Sequence, residues 1–469
     1  MLFNTLSFLI FFPIVTILFY LTSPKYRWII LLIASCYFYM FFIPFLILVL
    51  LVTIVIDYYA GILIERNEGV KKKIYLIISI LSTCFVLFIF KYFDFFNNNL
   101  HSIFNFLHID IPDRKFNILL PIGLSFHTFQ SLSYVIEVYN GRQKAEKHFG
   151  IYSLYVLFYP QLVTGPIERP QNLLAQLNKK QSFDYGNLIN GLRLILFGLF
   201  LKMVIADNLA PYVDQIYNSP QTYSSISILT AIFFYSFQIY CDFLGYSTIA
   251  VGCALAMGFT LMDNFKSPYL ARSINEFWQR WHISLSTWFR DYVYFPLGGN
   301  RVSKLKWMVN ICVVFIISGL WHGANWTFIF WGGLFAFFYL IEYAISKIIK
   351  VPDSQSSFSM KNLIFVCSTF ILVSFLWVIF RSQNLRQVVE IFKALYQNWH
   401  YADSFYVDYK VWAFLALFII IDIALYNSRF DKFCNNISPV FRGVIYCTMI
   451  FLIIVFSGVE NYPFIYFQF

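Results

Sequence analysis

Apolar blocks of bilayer length alternate with short polar breaks along almost the whole chain. They run over 4–21, 28–43, 45–64, 74–93, 116–138, 151–164, 188–205, 226–257, 307–320, 327–344, 363–380, 411–424 and 444–456. About twenty apolar residues suffice for a helix to cross a bilayer. The pattern therefore predicts an all-α, polytopic transmembrane protein with about 11–13 membrane segments. Little more than Pro44 separates the second block from the third, which predicts a tight hairpin there. No small-residue cleavage site follows the first block, so it reads as a retained helix and not as a removed leader.

Two pieces break the pattern. The block 151–164 is short and runs into Gly165-Pro166-Ile167-Glu168-Arg169-Pro170, a helix breaker. The stretch around His282 carries Arg280, Arg290 and Asp291. Both are expected to be re-entrant or interfacial. Irregular backbone at membrane depth survives only where protein buries it or where it lines a wet cavity, so a central reaction chamber is expected.

Composition sharpens this picture. Hydrophobic residues make up 59% of the chain and charged ones only 12%, against about 25% charged in soluble domains. The net charge of +10 raises the question of nucleic acid, which the distribution of charge answers. With the N-terminus outside and the two broken pieces re-entrant, 25 of the 34 basic residues fall on one side. Arg114, Lys115, Arg381, Arg386, Lys393 and Lys410 fall on the other, while Lys91, Arg193 and Lys202 sit within or at the ends of blocks. That is the positive-inside asymmetry. It explains the charge without nucleic acid and places both termini outside the cytoplasm. The expectation is a multi-pass membrane protein, one domain over 1–469, with an extracytoplasmic tail at 458–469. The Ser-rich stretch 351–361 is expected to be flexible, and 383–410 to be the longest external loop. No internal repeat of the transporter kind is visible.

Eight cysteines are scattered without a C-x-x-C pair, so neither a disulfide framework nor a metal site is expected. The chain has no G-x-S-x-G, H-E-x-x-H, Walker or G-x-G-x-x-G sequence, which removes support for hydrolase, zincin and nucleotide-binding readings. Two histidines remain. His322 lies in Ser318-Gly319-Leu320-Trp321-His322-Gly323 and is the only readily ionisable side chain in 307–341. An ionisable group inside a bilayer is costly and marks a functional site by default, and histidine moves protons near neutral pH. His282 lies in Trp278-Gln279-Arg280-Trp281-His282. A helix there would put Gln279, Ser286, Trp278 and Leu285 on its face. Trp278, Trp281, Leu285 and Trp288 would form a stripe at helical spacing, which also reads as plain core or interfacial anchoring. Asp242, alone in its block, is either a partner for a basic group or a site residue, and His127 is open in the same way. Pro296-Leu297-Gly298-Gly299-Asn300 predicts a turn.

These motifs resemble the membrane-bound O-acyltransferases, in particular the bacterial alginate and peptidoglycan O-acetyltransferases. The resemblance rests on Trp281-His282-Ile283-Ser284-Leu285-Ser286-Thr287-Trp288, Arg290-Asp291-Tyr292, the Pro296–Asn300 turn and the His322 motif. It extends to Phe90-Lys91-Tyr92-Phe93, Pro121-Ile122-Gly123-Leu124-Ser125-Phe126-His127, Gly165-Pro166-Ile167-Glu168-Arg169 and Tyr240-Cys241-Asp242-Phe243, in order along nearly the whole chain. The resemblance implies acyl transfer from a cytoplasmic donor, acetyl-CoA, to a polysaccharide outside, with no permanently bound cofactor. It implies an extracytoplasmic SGNH-type transferase as partner, His322 as catalytic base and His282 as a second site residue that orients the acyl carbonyl. The ending Phe464-Ile465-Tyr466-Phe467-Gln468-Phe469 is similar to the family's acyl-relay tail, which makes Tyr466 a candidate acyl carrier; an aromatic anchor is the alternative. Trp278, Trp281, Ser286, Trp288, Arg290, Asp242 and Asn325 are the candidates for binding substrate or donor. The abundance of Phe, Ile, Asn, Lys and Tyr suggests an AT-rich genome, which leans toward peptidoglycan as acceptor. Alginate or another exopolysaccharide, D-alanyl or lipid acyl transfer, and a transporter or flippase of an acylated carrier are the rival readings.

Overall fold

The structure is a computed structural model that describes residues 1–109, 121–163, 165–348, 360–426, 428–457 and 462–465. Among these residues all regular structure is helical. Eight helices are long and apolar enough to cross a membrane: Pro44–Arg66, Gly69–Phe106, Tyr185–Asn218, Ser225–Ala256, Lys304–His322, Trp326–Ile345, Asn362–Arg381 and Pro439–Phe456. Several other apolar blocks form shorter helices. Leu6–Leu21 (α1) and Leu124–Tyr139 have 16 residues each, and Arg27–Met40 (α2) has 14. At about 1.5 Å rise per residue, 16 residues span roughly 24 Å, short of a hydrocarbon core of about 30 Å. The block at 151–164 becomes two buried pieces, Phe149–Leu157 and Tyr159–Leu162, neither long enough to cross.

The described chain divides into two compact units. One comprises Met1–Leu192 and Ala250–Met262. Its helices after α1 and α2 are α3 (Ile47–Arg66), α4 (Gly69–Leu87), α5 (Phe93–Phe106), α6 (Leu124–Tyr139), α7 (Phe149–Leu157), α8 (Tyr159–Leu162) and α9 (Pro170–Leu177). Helices α3, α4 and α6 pack on one another and bury a polar cluster. Asp57 accepts hydrogen bonds from Ser79 at 2.6 Å and Thr83 at 3.1 Å, and Thr53 meets His127 Nε2 at 3.3 Å. The predicted breaker does break the helix. Glu168 there is buried and accepts from the Asn172 side chain and the Met262 amide. Burial raises its pKa, opposed by those hydrogen bonds.

The other unit comprises Arg193–Ile249 and Asp263–Phe469. Two helices, α10 (Tyr185–Phe200) and α12 (Ser225–Ala256), contribute residues to both units. The second unit also holds α11 (Asp207–Asn218), α13 (Ile274–Arg280), α14 (Ile283–Phe289), α15 (Lys304–His322), α16 (Trp326–Ile345), α17 (Met360–Arg381), α18 (Leu385–Gln397), α19 (Tyr409–Ala424), α20 (Phe430–Asn435) and α21 (Pro439–Phe456). The most apolar stretch of α12 is 89% buried and that of α21 only 6%. The first is therefore a core helix, and the second turns its side chains outward, as a lipid-facing helix does. Three π-helical turns interrupt the helices, at Phe88–Tyr92, Leu201–Ala206 and Arg290–Tyr294, and each carries a basic residue: Lys91, Lys202 and Arg290. Such turns recur at functional sites.

Two expectations need correction. The stretch 383–410 is not plain loop. It contains α18, capped by the Asn384 side chain on the Gln387 amide, with Val388, Ile391 and Ala394 buried on one face. Nor does a single helix run through His282. The chain breaks between α13 and α14, with His282 in the left-handed region at φ 43, ψ 55, so the tryptophan stripe does not exist as a helical stripe. The stretch 351–359 and Tyr466 lie outside the described residues.

Candidate functional site

The site is built by the second unit from two helix ends. Helices α15 and α16 form the first. They touch backbone to backbone: a Cβ on Gly319 would strike the Phe328 carbonyl, and one on Gly332 would strike the Phe315 carbonyl. Small residues permit such close approach in membrane proteins. The chain then turns through extended Gly323 (φ −165). Asn325 caps α16 by accepting from the Thr327 amide at 3.0 Å and donates to the Gln383 carbonyl at 2.6 Å. The turn delivers His322, 5% exposed, into an aromatic box. Its ring lies 5.0 Å from Trp321, 5.3 Å from Trp331 and 5.2 Å from Phe380, all edge-on.

His282 comes from the α13–α14 break. A non-glycine residue in the left-handed region costs about 1–3 kcal/mol and persists only where its surroundings over-determine it. Asn264 supplies that constraint. Its carbonyl accepts from the Ile283 amide at 2.9 Å, its side chain accepts from the Ser284 amide at 3.3 Å, and Ser247 Oγ accepts from it at 3.2 Å. The imidazole is fully buried, and burial pushes its pKa below the ordinary value, which favours the neutral ring. It stands edge-on to Phe243 at 4.7 Å and to Trp321 at 6.3 Å. Trp321 thus packs against both histidines.

The other expected residues separate into groups. Trp281 is 1% exposed and lies 4.9 Å from Trp377 and 5.1 Å from Phe265. Trp278 lies 5.8 Å from Trp331 and 5.0 Å from Phe335. Both belong to the aromatic mass behind the histidines. Ser286 donates to the Trp281 carbonyl at 3.2 Å, tying α14 to the break. Trp288 packs on Phe289 and Tyr292. Arg290 is 55% exposed in its side chain and pairs with Asp291 at 2.9 Å, so it points outward. Asn325 is a helix cap. Asp242 pairs with Lys202 at 2.8 Å and accepts from the Ile465 amide at 2.7 Å, so it holds a lysine and the chain end. The predicted turn after α14 has Gly298 at φ 102 and Gly299 at φ 56, and Asn310 donates to the Leu297 and Gly299 carbonyls. Among the described residues no group of three His, Cys, Asp or Glu gathers as metal ligands.

Sequence reasoning missed Trp331, Phe380 and Phe243, which wall the histidines, and the seat of the chain end. Phe464 is 0% exposed and lies 5.7 Å from Phe243 and 4.7 Å from Tyr246. A run of ring contacts therefore leads from Phe464 through Phe243, His282 and Trp321 to His322. The available signal was Lys202 beside Asp242: a lone lysine in one apolar block implies a carboxylate partner in another.

Comparison with known proteins bears on this geometry. The model of the membrane-bound O-acyltransferase family matches residues 16–381. A probable alginate O-acetylase of Azotobacter vinelandii is 36% identical over 411 residues, covering 86% of this chain and 80% of that protein. A peptidoglycan O-acetyltransferase of Helicobacter pylori is 33% identical over 403 residues, covering 80% and 75%. A teichoic acid D-alanyltransferase of Bacillus subtilis is 31% identical over 228 residues, covering 46% and 57%.

Proposed function

The chain belongs to the membrane-bound O-acyltransferase family and is a multi-pass membrane O-acyltransferase; on that premise we propose that it relays acetyl across a bacterial inner membrane to a polysaccharide. The observation that carries this reading is the buried ring path from the chain end to both histidines. The donor is acetyl-CoA on the cytoplasmic side. His322 takes the proton from an attacking hydroxyl, the oxygen adds to the thioester carbonyl, the C–S bond breaks, and the protonated histidine returns its proton to the thiolate. His282, neutral and clamped by Asn264, donates to the acyl carbonyl as negative charge develops on it. The aromatic walls exclude water, which would otherwise hydrolyse the acyl group.

Tyr466 is the first acceptor. Its phenol, with an ordinary pKa near 10, is a weak nucleophile unaided, and His322 supplies the base. An SGNH-type transferase outside the membrane then takes the acetyl from the tyrosine ester and passes it to the polymer. Peptidoglycan is favoured as acceptor over alginate by the AT-rich character of the sequence, and both kinds of O-acetylase are among its relatives. On this reading both termini lie outside, which the basic-residue asymmetry expected from the sequence supports.

The test is purified protein in proteoliposomes with radiolabelled acetyl-CoA. Label should appear on the C-terminal peptide of the wild-type protein and not of Tyr466→Phe. A transporter would consume no acetyl-CoA. Label elsewhere, with none on the tail, would sink the relay while keeping the acyltransferase. A cysteine added after Phe469 should react with a membrane-impermeant thiol reagent in cells with a permeable outer envelope; labelling only after lysis would reverse the topology.

A further inference from the structure

Lys202, Asp207 and Asp242 are buried together, with side chains no more than 7% exposed. Lys202 Nζ lies 2.7 Å from Asp207 Oδ1 and 2.8 Å from Asp242 Oδ1. The other Asp242 oxygen, Oδ2, accepts the backbone N–H of Ile465 at 2.7 Å. Phe464 is buried against Tyr246 and Phe243, and Ile465 is 4% exposed. One carboxylate thus divides its two oxygens between a lysine and the chain end.

Resting on the acyl-relay reading above, we propose that Asp242 and Lys202 are positioning residues that seat the C-terminal tail. Asp242 grips the Ile465 amide, and the ion pair with Lys202 holds that carboxylate in place. A lone buried Lys–Asp pair needs nothing from the end of the chain, and burying ions is costly unless every polar atom is used. Here the remaining acceptor is used on the residue just before Tyr466. The grip is backbone-directed, so it tolerates any side chain at 465 except proline. The same tail segment forms one wall of a polar cavity of about 330 Å³ of empty space, lined also by Lys202, Asp207, Gln238 and Arg381.

The experiment separates grip from charge balance. The variant Ile465→Cys leaves the gripped backbone N–H in place and puts a thiol in the buried seat. Its labelling rate is read on the C-terminal peptide by mass spectrometry, so native cysteines do not interfere. Asp242→Leu removes the acceptor and should raise labelling on the order of tenfold or more. Asp242→Asn keeps an acceptor oxygen but no charge, and should stay near the parent rate. Equal rates in the parent and Asp242→Leu would overturn the proposal. Equal acceleration in Asn and Leu would also overturn it, since the carboxylate would then serve only to neutralise Lys202. Hydrogen exchange on the unmodified protein needs no variant: the Ile465 amide should exchange slowly, and immediate exchange rejects the grip. If the grip is found but Tyr466→Phe acetylates polymer normally, the relay reading fails and the seat stands.

Discussion

Each unit buries a histidine and a carboxylate, and the two settings differ in what surrounds them. In the first unit Asp57 and His127 are met by hydroxyls from Ser79, Thr83 and Thr53. Such a cluster is closed: its partners are neutral, short and fixed to helix backbones. In the second unit the histidines stand in aromatic walls, and the carboxylate is shared between a lysine and the chain end. On the proposed reading, the difference teaches that burial of an ionisable group is not by itself what makes a reaction site. Hydroxyls hold the Asp57 carboxylate in place, whereas aromatic rings wall the second unit's histidines.

The sharpest break of that contrast is a pair of variants. His322→Ala should lower acetyl transfer by about 10²–10⁴-fold, the usual cost of losing a general base, with the protein still present in the membrane. His127→Gln should stay within about threefold of wild type, because it sits among hydroxyls and not at the reacting centre. Comparable losses in both would erase the distinction between the two settings. Tyr466→Phe keeps the ring and removes the oxygen. Polymer acetylation should fall to background in that variant, and near wild-type acetylation would make the tail an anchor.

At His282 the contrast narrows to one hydrogen bond. His282→Ala should cost about 10²–10³-fold, as for an oxyanion donor. His282→Asn should keep partial activity, since asparagine donates and tolerates the left-handed backbone. Complete loss in both would assign it a proton-transfer role instead. In the closed cluster the effects should be on stability. Asp57→Leu strands the Ser79 and Thr83 hydroxyls and should cost about 1–3 kcal/mol for each group left unsatisfied. Asp57→Asn should cost less, and thermal unfolding in detergent measures both.

The smallest effect lies outside the membrane segments. The Asp403 carboxylate accepts from the Ser224 and Phe405 amides and the Ser227 hydroxyl. Desolvation opposes ionisation there, and these hydrogen bonds outweigh it, so its pKa is lowered. Its stabilisation is therefore present above the unfolded carboxyl pKa and is lost as pH falls through the lower folded value. Asp403→Ala should cost on the order of 0.5–1 kcal/mol near neutral pH. The cost should vanish in acid; a difference that grows in acid would reverse the sign.

The apolar blocks, the basic asymmetry and the lone His322 could all be read from the chain alone, because each depends on local composition against a solvent of known thickness and polarity. Burial in a bilayer demands helices whatever their neighbours are, so the all-helical class followed directly. The break at His282 could not be read that way. Its local sequence favours a helix, and Asn264, on the segment before α13, overrides that preference with backbone and side-chain hydrogen bonds. The aromatic walls were equally hidden. Trp331 looks like any other lipid-facing ring until the close backbone approach at Gly319 and Gly332 packs α16 on α15, and Phe380 until α17 brings it to His322. The role of Asp242 was open between partner and site for the same reason. Which charge meets which across distant segments is decided by packing, and only the folded chain brings Lys202, Asp242 and Ile465 to one point.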